Sequence, residues 1–375
     1  MPVSSPPEPA KSRRPAILAQ APGKLLLLGE YAVLEGAPAI VTAVDRFARA
    51  RISPADDDRF TVVAPVLEIA GQAFALEEGK VIFPETCPEA TRRQLAFFRI
   101  TLEHGLKLLA EHNLTLNAAR FEIDTSEFFL ENGGGVKLGF GSSAALCVAL
   151  LGAMTAMVDS AASPEDDLLY LFETALAAHR EAQGKVGSGA DVAASVFGGV
   201  IQYQILPDTL TAPTLIEELP LPRDLNMLYI WSGQSASTTE LVGRVHAFRD
   251  AQPTAWAALL ERMQILAEDG CFALTEGNTP AFMQIAGQYH QAMTDLGEAA
   301  GADIISAPHR ELAALAAGAG AVYKPSGAGG GDLGIAFSDD PDVITATTAA
   351  VHEAGYRTLD LTVVPRGLQT TRQED

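Results

Sequence analysis

The sequence is poor in cysteine and in basic residues, and it has no long apolar run. Its three cysteines, Cys87, Cys147 and Cys271, are too far apart to form a CxxC motif or a zinc-binding pattern, which favours a reduced, cytoplasmic setting. The longest apolar run covers residues 144–158, which is too short to cross a bilayer and predicts a buried helix. The segment 1–15 is rich in proline and serine and lacks the apolar centre of a secretory signal, so we expect a disordered leader there.

Basic residues are few: 26 Lys and Arg stand against 47 Asp and Glu, which gives a formal net charge of −21. Binding to nucleic acid or to an anionic membrane depends on Lys and Arg, so the charge argues against both partners. An anionic ligand would need a local basic pocket in an otherwise acidic protein. The sequence leaves both a monomer and a homodimer open.

A GxxxxGK[ST] segment is also missing, which excludes a Walker-type phosphate loop. The glycines that matter most lie instead in three segments in a fixed order. The first glycine segment is APGK at 21–24 leading to GEY at 29–31, the second is GFGSSAA at 139–145, and the third is SGAGGGD at 326–332. Because glycine lets the backbone approach an anion closely, this set predicts a phosphate-handling enzyme.

The second glycine segment has the sharpest chemistry. Gly139 and Gly141 precede an apolar helix that we expect to begin at Ser142, with the serine hydroxyl as its N-cap. Free N–H groups at the start of a helix and the helix dipole attract an anion. The hydroxyls of Ser142 and Ser143 suit a phosphate oxygen or Mg²⁺, and Lys137 adds a positive charge just before the segment.

Two alternatives compete with this interpretation. The spacing GxGxxA fits the loose dinucleotide fingerprint, but it follows a polar glycine loop, and no acidic residue ends a strand about 20 residues later. The other alternative is a simple glycine turn before a buried helix. The third glycine segment leads straight into the apolar strand expected at 333–337, so we expect its glycines to allow close approach to a ligand or to the first segment.

Helical and strand patterns interleave along the chain, without internal repeats, and indicate an α/β or α+β protein. Residues 206–223 are rich in proline and leucine and resemble a connection, so we divide the chain into domains 16–205 and 206–375. We expect strands at 16–19, 25–28, 48–52, 60–63, 121–123, 227–231, 333–337 and 359–364, the first two on either side of a glycine turn at Pro22-Gly23. Besides the helix from residue 142, we expect helices at 91–112, 163–183, 254–268, 280–296, 307–317 and 342–354.

In this order, the patterns PGKxxxxGE, GxGSSAA and SGAGGGD resemble the motifs of the GHMP kinases, named for galactokinase, homoserine kinase, mevalonate kinase and phosphomevalonate kinase. The resemblance covers about residue 16 to residue 364. It implies an α+β fold, the GHMP kinase fold, with an N-terminal ribosomal-S5-domain-2-like α/β domain, a ferredoxin-like C-terminal domain and the active site in the cleft. It also implies a kinase that uses ATP and Mg²⁺.

The resemblance implies a role for each glycine segment and for the residues near it. Asp191 would lie beside the acceptor oxygen as catalytic base or orienting group. Lys24 would favour the charged form of Asp191 and stabilise negative charge on the transferred phosphoryl group. Ser142 or Ser143 would help to hold Mg²⁺. The implied ATP-binding residues are Lys137, Gly139, Gly141, Ser142, Ser143 and Ala144.

Within the family, four segments resemble the phosphomevalonate kinases, at residues 21–34, 178–194, 231–238 and 324–326. The implied small-molecule acceptor is therefore (R)-5-phosphomevalonate. A phosphate acceptor, with a second pKa of about 6, needs a strong base less than a hydroxyl does. It needs cations and hydroxyls that hold two anions together. Among the candidate residues, Lys185 best distinguishes the pattern of the phosphomevalonate kinases from that of the mevalonate kinases. The implied acceptor-binding residues are Lys185, Ser188, Ser235, Ser237, Thr238, Ser326, Gly327 and Ala328.

One departure from the family pattern concerns a metal ligand. Mevalonate kinases carry a Mg²⁺-binding glutamate on the helix before the catalytic aspartate, whereas this chain has His179 there and Glu181 as the nearest acid. The second Mg²⁺ ligand stays open between His179, Glu181 and neither. Mevalonate kinase, or another small-molecule kinase of this fold, is the alternative activity. A catalytically silent relative that binds ATP or a metabolite is the alternative from another class.

Overall fold

The computed structural model describes residues 15–55, 57–130, 135–158, 168–184, 187–206 and 214–373. The expected leader, apart from Pro15, lies outside these residues, as do Lys185 and the start of the helix predicted at 163–183. Among the described helices, none combines the length and the apolar character that a membrane-spanning segment requires.

The described residues form two sheets and ten α-helices. The strands are β1 (Ala16–Leu28), β2 (Ala39–Pro54), β3 (Phe60–Ala64), β4 (Ile69–Glu77), β5 (Lys80–Ile82), β6 (Ala119–Asp124), β7 (Val200–Ile205), β8 (Thr214–Glu218), β9 (Asn226–Trp231), β10 (Val322–Ser326), β11 (Leu333–Ser338), β12 (Arg357–Leu359) and β13 (Gln369–Gln373). The helices are α1 (Glu89–Gln94), α2 (Ala96–Glu111), α3 (Ser142–Met157), α4 (Leu168–Ala182), α5 (Ala190–Phe197), α6 (Thr238–Ala251), α7 (Pro253–Thr275), α8 (Thr279–Ala300), α9 (Ala307–Ala319) and α10 (Pro341–Glu353).

The larger sheet runs in the order β13-β1-β2-β6-β3-β4-β5, and β7 adds to it by pairing with β2 and β8. Its pairs are antiparallel except for β3 with β6. Helix α3 packs on β1 and β2, and its apolar composition fits this position because it is buried on nearly every side. The start of α3, which carries the second glycine segment, is therefore held against the strand that carries the first.

The smaller sheet is antiparallel throughout, in the order β10-β11-β9-β12. Helices α9 and α10 cover one face, where Leu312 and Val351 pack with Ile230 and Tyr323. Helix α8 lies against β10 and also reaches β1 of the larger sheet. The third glycine segment connects β10 to β11, so this sheet brings it to the boundary between the two halves.

The prediction of two short strands around a turn at Pro22-Gly23 is wrong. The chain continues as one strand, β1, with a register shift between Pro22 and Gly23. A Cβ atom at Gly23 would lie 2.9 Å from Cε1 of Phe128 and 3.0 Å from the carbonyl oxygen of Phe140, which also accepts a hydrogen bond from the Lys24 N–H at 2.9 Å. Glycine is present because a loop presses on the strand, not because the strand turns.

Other boundaries differ as well. The helix predicted at 91–112 breaks at Leu95 into α1 and α2, and the strand predicted at 359–364 ends at Leu359. The predicted connection 206–223 contains β8, which pairs with β7, and β13 pairs with β1. The domain division at residue 205 stays a prediction, but the larger sheet takes two segments from beyond it.

Candidate active site

A cleft of about 320 Å³ lies where the three glycine segments meet. Both halves of the chain contribute to it, and its lining combines cations, carboxylates, hydroxyls and glycine backbone. The sequence-predicted residues that line it are Lys24, Lys137, Gly139, Gly141, Ser142, Ser143, Ser188, Asp191, Thr238, Ser326, Gly327 and Ala328.

Four predicted residues are not among the lining. Ala144 is fully buried inside the first turn of α3. Ser235 and Ser237 are exposed outside the cleft, and the hydroxyl of Ser237 caps α6 by accepting from the Glu240 N–H at 3.3 Å. Lys185 lies outside the described residues. The hydroxyl that the Ser235–Thr238 stretch presents to the cleft is therefore that of Thr238.

The start of α3 faces the cleft, but its cap is not the predicted one. Gly141 is the N-cap, in the left-handed region with φ 77°, and Ser142 is already helical with no capping hydrogen bond from its side chain. The first hydrogen bond of the helix runs from the Ala145 N–H to the Gly141 carbonyl. The N–H groups before Ala145 are thus free for an anion, and the Ser142 hydroxyl is not used in capping.

Ser143 forms a polar cluster with His179 of α4 and with Gln183, which directly follows α4. Its Oγ lies 3.1 Å from Nε2 of His179, and it accepts a hydrogen bond from Nε2 of Gln183 at 2.9 Å. His179 is buried, and its Nε2 lies 3.8 Å from Oδ2 of Asp191. Glu181 points elsewhere and lies 2.9 Å from Nε2 of His104. Of the two residues left open as Mg²⁺ ligands, only His179 lines the cleft.

Asp191 lies in the first turn of α5, a helix that the sequence interpretation missed. Gly189 is the N-cap of α5 with φ 90°, and the Asp191 carboxylate accepts a hydrogen bond from the Val192 N–H at 3.0 Å. A Cβ atom at Gly141 would lie 3.4 Å from Cβ of Asp191 and 3.5 Å from Cγ of Lys24. Both predicted catalytic side chains therefore lie beside the start of α3.

Lys24 lies on β1 and is in electrostatic contact with three carboxylates from different parts of the chain. Burial lowers the pKa of its ammonium group. The charges of Asp191, Glu30 and Asp332 oppose this shift. A lysine in this setting offers its charge to an incoming phosphate at short range and with little water to screen it.

Asp332 ends the third glycine segment and was not singled out from the sequence. It has φ 55°, an unusual left-handed conformation for a residue with a side chain, and its Oδ2 lies 2.9 Å from where a Cβ atom of Gly139 would be. Burial raises the pKa of its carboxyl group, while a hydrogen bond from the Ala236 N–H and the charges of Lys24 and Lys137 lower it. Asp332 thus joins the third glycine segment to the second.

The third glycine segment also contacts the first, as expected from its composition. The Leu26 N–H donates to Oγ of Ser326 at 3.0 Å, and the Tyr31 hydroxyl donates to the Ala328 carbonyl at 2.5 Å. Tyr31 has φ 62°, so the chain around it is held in an uncommon conformation. The two segments form one continuous wall of the cleft.

Two histidines, the half-buried His290 and the fully buried His309, lie behind this wall. Nδ1 of His309 accepts from the Tyr323 hydroxyl at 2.7 Å, and its Nε2–H donates to the Gly331 carbonyl at 2.9 Å, which fixes the neutral ring in one tautomer. Burial lowers the pKa of both histidines to about 4. His309 therefore supports the third glycine segment without carrying a charge at neutral pH.

We expect the free energy of unfolding to decrease as the pH falls from about 6.5 to about 4, by on the order of 3 kcal/mol for each histidine at most. The reason is that the unfolded chain takes up protons on these histidines within this window, whereas the folded chain does not. The free energy of unfolding, measured with urea, should decrease less between about pH 7 and about pH 5 in H309Q than in the original chain. H352Q, which replaces an exposed histidine, is the matched control. If the free energy of unfolding of H309Q depends on pH as in the original chain, His309 is not a buried neutral ring.

Comparison with known proteins begins with a family model, "GHMP kinases N terminal domain", which matches residues 103–199. A phosphomevalonate kinase of Streptomyces sp. (strain CL190) is 31% identical over 347 residues, 86% of this chain and 90% of that one. The matched family segment includes the second glycine segment and Asp191, and the Streptomyces match extends over both halves of the fold.

Two solved structures superpose over nearly their whole length. The Lin0012 protein of Listeria innocua has a TM-score of 0.83 at 26% identity and covers 95% of this chain and 99% of its own. The phosphomevalonate kinase of Streptococcus pneumoniae, solved in complex with phosphomevalonate and AMPPNP, has a TM-score of 0.74 at 21% identity and covers 92% and 99%. The latter likeness shows the fold alone, and the expected α+β fold is confirmed.

Proposed function

The chain belongs to the GHMP kinase family, and on that premise we propose that it transfers the terminal phosphoryl group of ATP to the phosphate of (R)-5-phosphomevalonate. Members of this family are kinases that use ATP, which supports the phosphoryl donor in this proposal. The observation that carries the choice of acceptor is the 31% identity to the Streptomyces phosphomevalonate kinase over most of both chains. The product would be the diphosphate, 5-diphosphomevalonate.

In this proposal the start of α3 holds the ATP phosphates. Its free N–H groups and helix dipole favour negative charge, and Gly139 and Gly141 supply the left-handed backbone that leads into the helix. Lys137 also lines the cleft and adds a cation. These groups position ATP with its terminal phosphate directed toward Lys24 and Asp191.

Lys24 and Asp191 would act at the transferred group. Phosphoryl transfer asks the protein mainly for positioning and for neutralisation of charge, and Lys24 supplies a partly desolvated cation for that purpose. Asp191 would orient the acceptor or accept its proton, and His179 at 3.8 Å helps to fix the carboxylate. Ser188, Thr238 and the wall at 326–328 would hold the acceptor.

The residues of the cleft fit Mg²⁺. This ion is usually held by one or two carboxylates together with substrate phosphates, and it keeps several waters. Among the described residues no group of three or more His, Cys, Asp or Glu side chains could hold a metal by itself, whereas Asp191, Asp332 and the Ser142 and Ser143 hydroxyls line the cleft. Bound there, Mg²⁺ would neutralise part of the phosphate charge.

A substrate panel tests the proposal. We expect ADP release with phosphomevalonate, detected by coupled assay, and a diphosphate product whose two phosphorus nuclei couple to each other in ³¹P NMR. Mevalonate and galactose, offered separately, should give little ADP, and reactions without acceptor measure hydrolysis of ATP alone. Release with mevalonate only would replace the proposed acceptor by a hydroxyl, and release with none would favour the silent relative.

A further inference from the structure

The proposed mechanism leaves one buried ion pair without a role. Nζ of Lys324 lies 2.5 Å from Oε1 of Glu30, and the two side chains are 0% and 2% exposed. Lys324 lies on β10, directly before the third glycine segment, and Glu30 belongs to the first. The pair therefore ties two of the three glycine segments together inside the protein.

The contacts around the pair are directional. Oε1 of Glu30 also accepts from the Gly327 N–H at 3.3 Å, and Nζ of Lys324 also donates to the Pro325 carbonyl at 2.6 Å. The ammonium group lies 6.0 Å from the ring centre of Tyr289, whose hydroxyl donates to the Glu30 carbonyl at 2.8 Å. These contacts fix the Glu30 carboxylate, its backbone and the start of the third glycine segment relative to one another.

One carboxylate oxygen of the ion pair takes no part in these contacts. Oε2 of Glu30 is buried and has no hydrogen-bond partner among the described residues, and Glu30 lines the cleft. A carboxylate at a cleft that must take two phosphates repels them unless a cation neutralises it. Lys24, which the transferred phosphoryl group needs, is also in electrostatic contact with Glu30, so without Lys324 the Glu30 charge would act on Lys24.

Stability alone does not explain such a pair. Removing two charges from water is expensive, and a buried ion pair is often no more stable than an apolar pair of the same size. Burial indeed lowers the pKa of Lys324, and only the adjacent Glu30 charge and hydrogen bond oppose this. A charged pair at this place therefore calls for a role in geometry or electrostatics.

We propose that Lys324 is a positioning residue that holds Glu30 and the third glycine segment together as a preformed acceptor wall and keeps Lys24 free for the transferred phosphoryl group. The substrate part of this inference rests on the proposed function. The part that concerns the wall does not, because it is a statement about how two chain segments are held.

K324M is the first test. We expect the KM for phosphomevalonate to increase about tenfold or more, as for the loss of a hydrogen bond to a charged group, while the affinity for an ATP analogue changes little. Hydrogen–deuterium exchange should become faster in residues 327–331 and stay unchanged in residues 142–150. R262M, which removes an exposed ion pair with Asp295, is the control for loss of a cation and should change none of these.

K324M leaves Glu30 buried and unpaired, so the variant can fail to fold. The double variant E30Q/K324M replaces the pair by neutral groups of similar size and should recover thermal stability, yet keep the faster exchange in residues 327–331. Wild-type exchange in a folded K324M or in the double variant would overturn the proposal. If the original chain does not use phosphomevalonate, the exchange experiment still decides the role of Lys324, so the two failures are distinguishable.

Discussion

Replacing Lys24 by methionine is expected to lower kcat by about 10²- to 10³-fold, the usual loss when one preorganised electrostatic group is removed from a transition state. Methionine keeps the length and the apolar stem of lysine, so β1 and its contact with the Phe140 loop should persist. ATP should still bind, because the phosphate-binding groups at the start of α3 are untouched. Steady-state turnover together with titration of an ATP analogue measures both quantities.

K107M is the matched control for this prediction. Lys107 lies on α2 with 78% of its side chain exposed and is not among the residues that line the cleft, so kcat should be unchanged. A K24M variant that turns over at the original rate would mean that Lys24 does not act on the transferred group. Loss of ATP-analogue binding would assign Lys24 to nucleotide binding instead.

Replacing Gly29 by alanine is expected to lower the free energy of unfolding by about 3 kcal/mol or more, since a left-handed backbone and an overpacked contact are penalised together. Gly29 has φ 100°, and a Cβ atom there would lie 2.5 Å from Cα of Ala39 and 2.7 Å from the Pro38 carbonyl oxygen. Backbone atoms cannot move aside as a flexible side chain can. Urea unfolding followed by circular dichroism measures the loss.

G79A separates the two causes. Gly79 has φ 77°, but a Cβ atom there would meet nothing within 4 Å, so this variant should lose only the conformational part, about 1 kcal/mol. Equal losses in both variants would show that the contact with Ala39 and Pro38 is relieved by a small shift. Because Glu30 follows Gly29, G29A should also disturb the pair with Lys324.

Local sequence patterns were enough to predict those strands and helices that show a clear hydrophobic periodicity. Strand and helix periodicity located most elements. The glycines of the third segment, followed directly by an apolar strand, indicated that this segment approaches a ligand or the first segment. The meeting of the three segments in a cleft agrees with that interpretation. The roles of the individual residues stay predictions, and the substrate panel and the variants described above test them.

The features that the sequence did not predict depend on contacts between distant segments. The apparent turn at Pro22-Gly23 is a strand against which the Phe140 loop packs, and no local signal carries that information. Residues 324–326 resemble the phosphomevalonate kinases, but the ion pair of Lys324 with Glu30 becomes visible only in the fold. Asp332 looked like the end of a glycine run, although its carboxylate reaches the second glycine segment.

The pairing of β13 with β1 has a consequence for how the protein is made. β1 carries Lys24, and its Gln20 pairs with Gln369, so one side of this strand stays an open edge until residues 369–373 have left the ribosome. Closing so long a loop is slow, and an unpaired edge is a template for wrong partners. The sheet that supports the active site is therefore completed only after the smaller sheet has been synthesised.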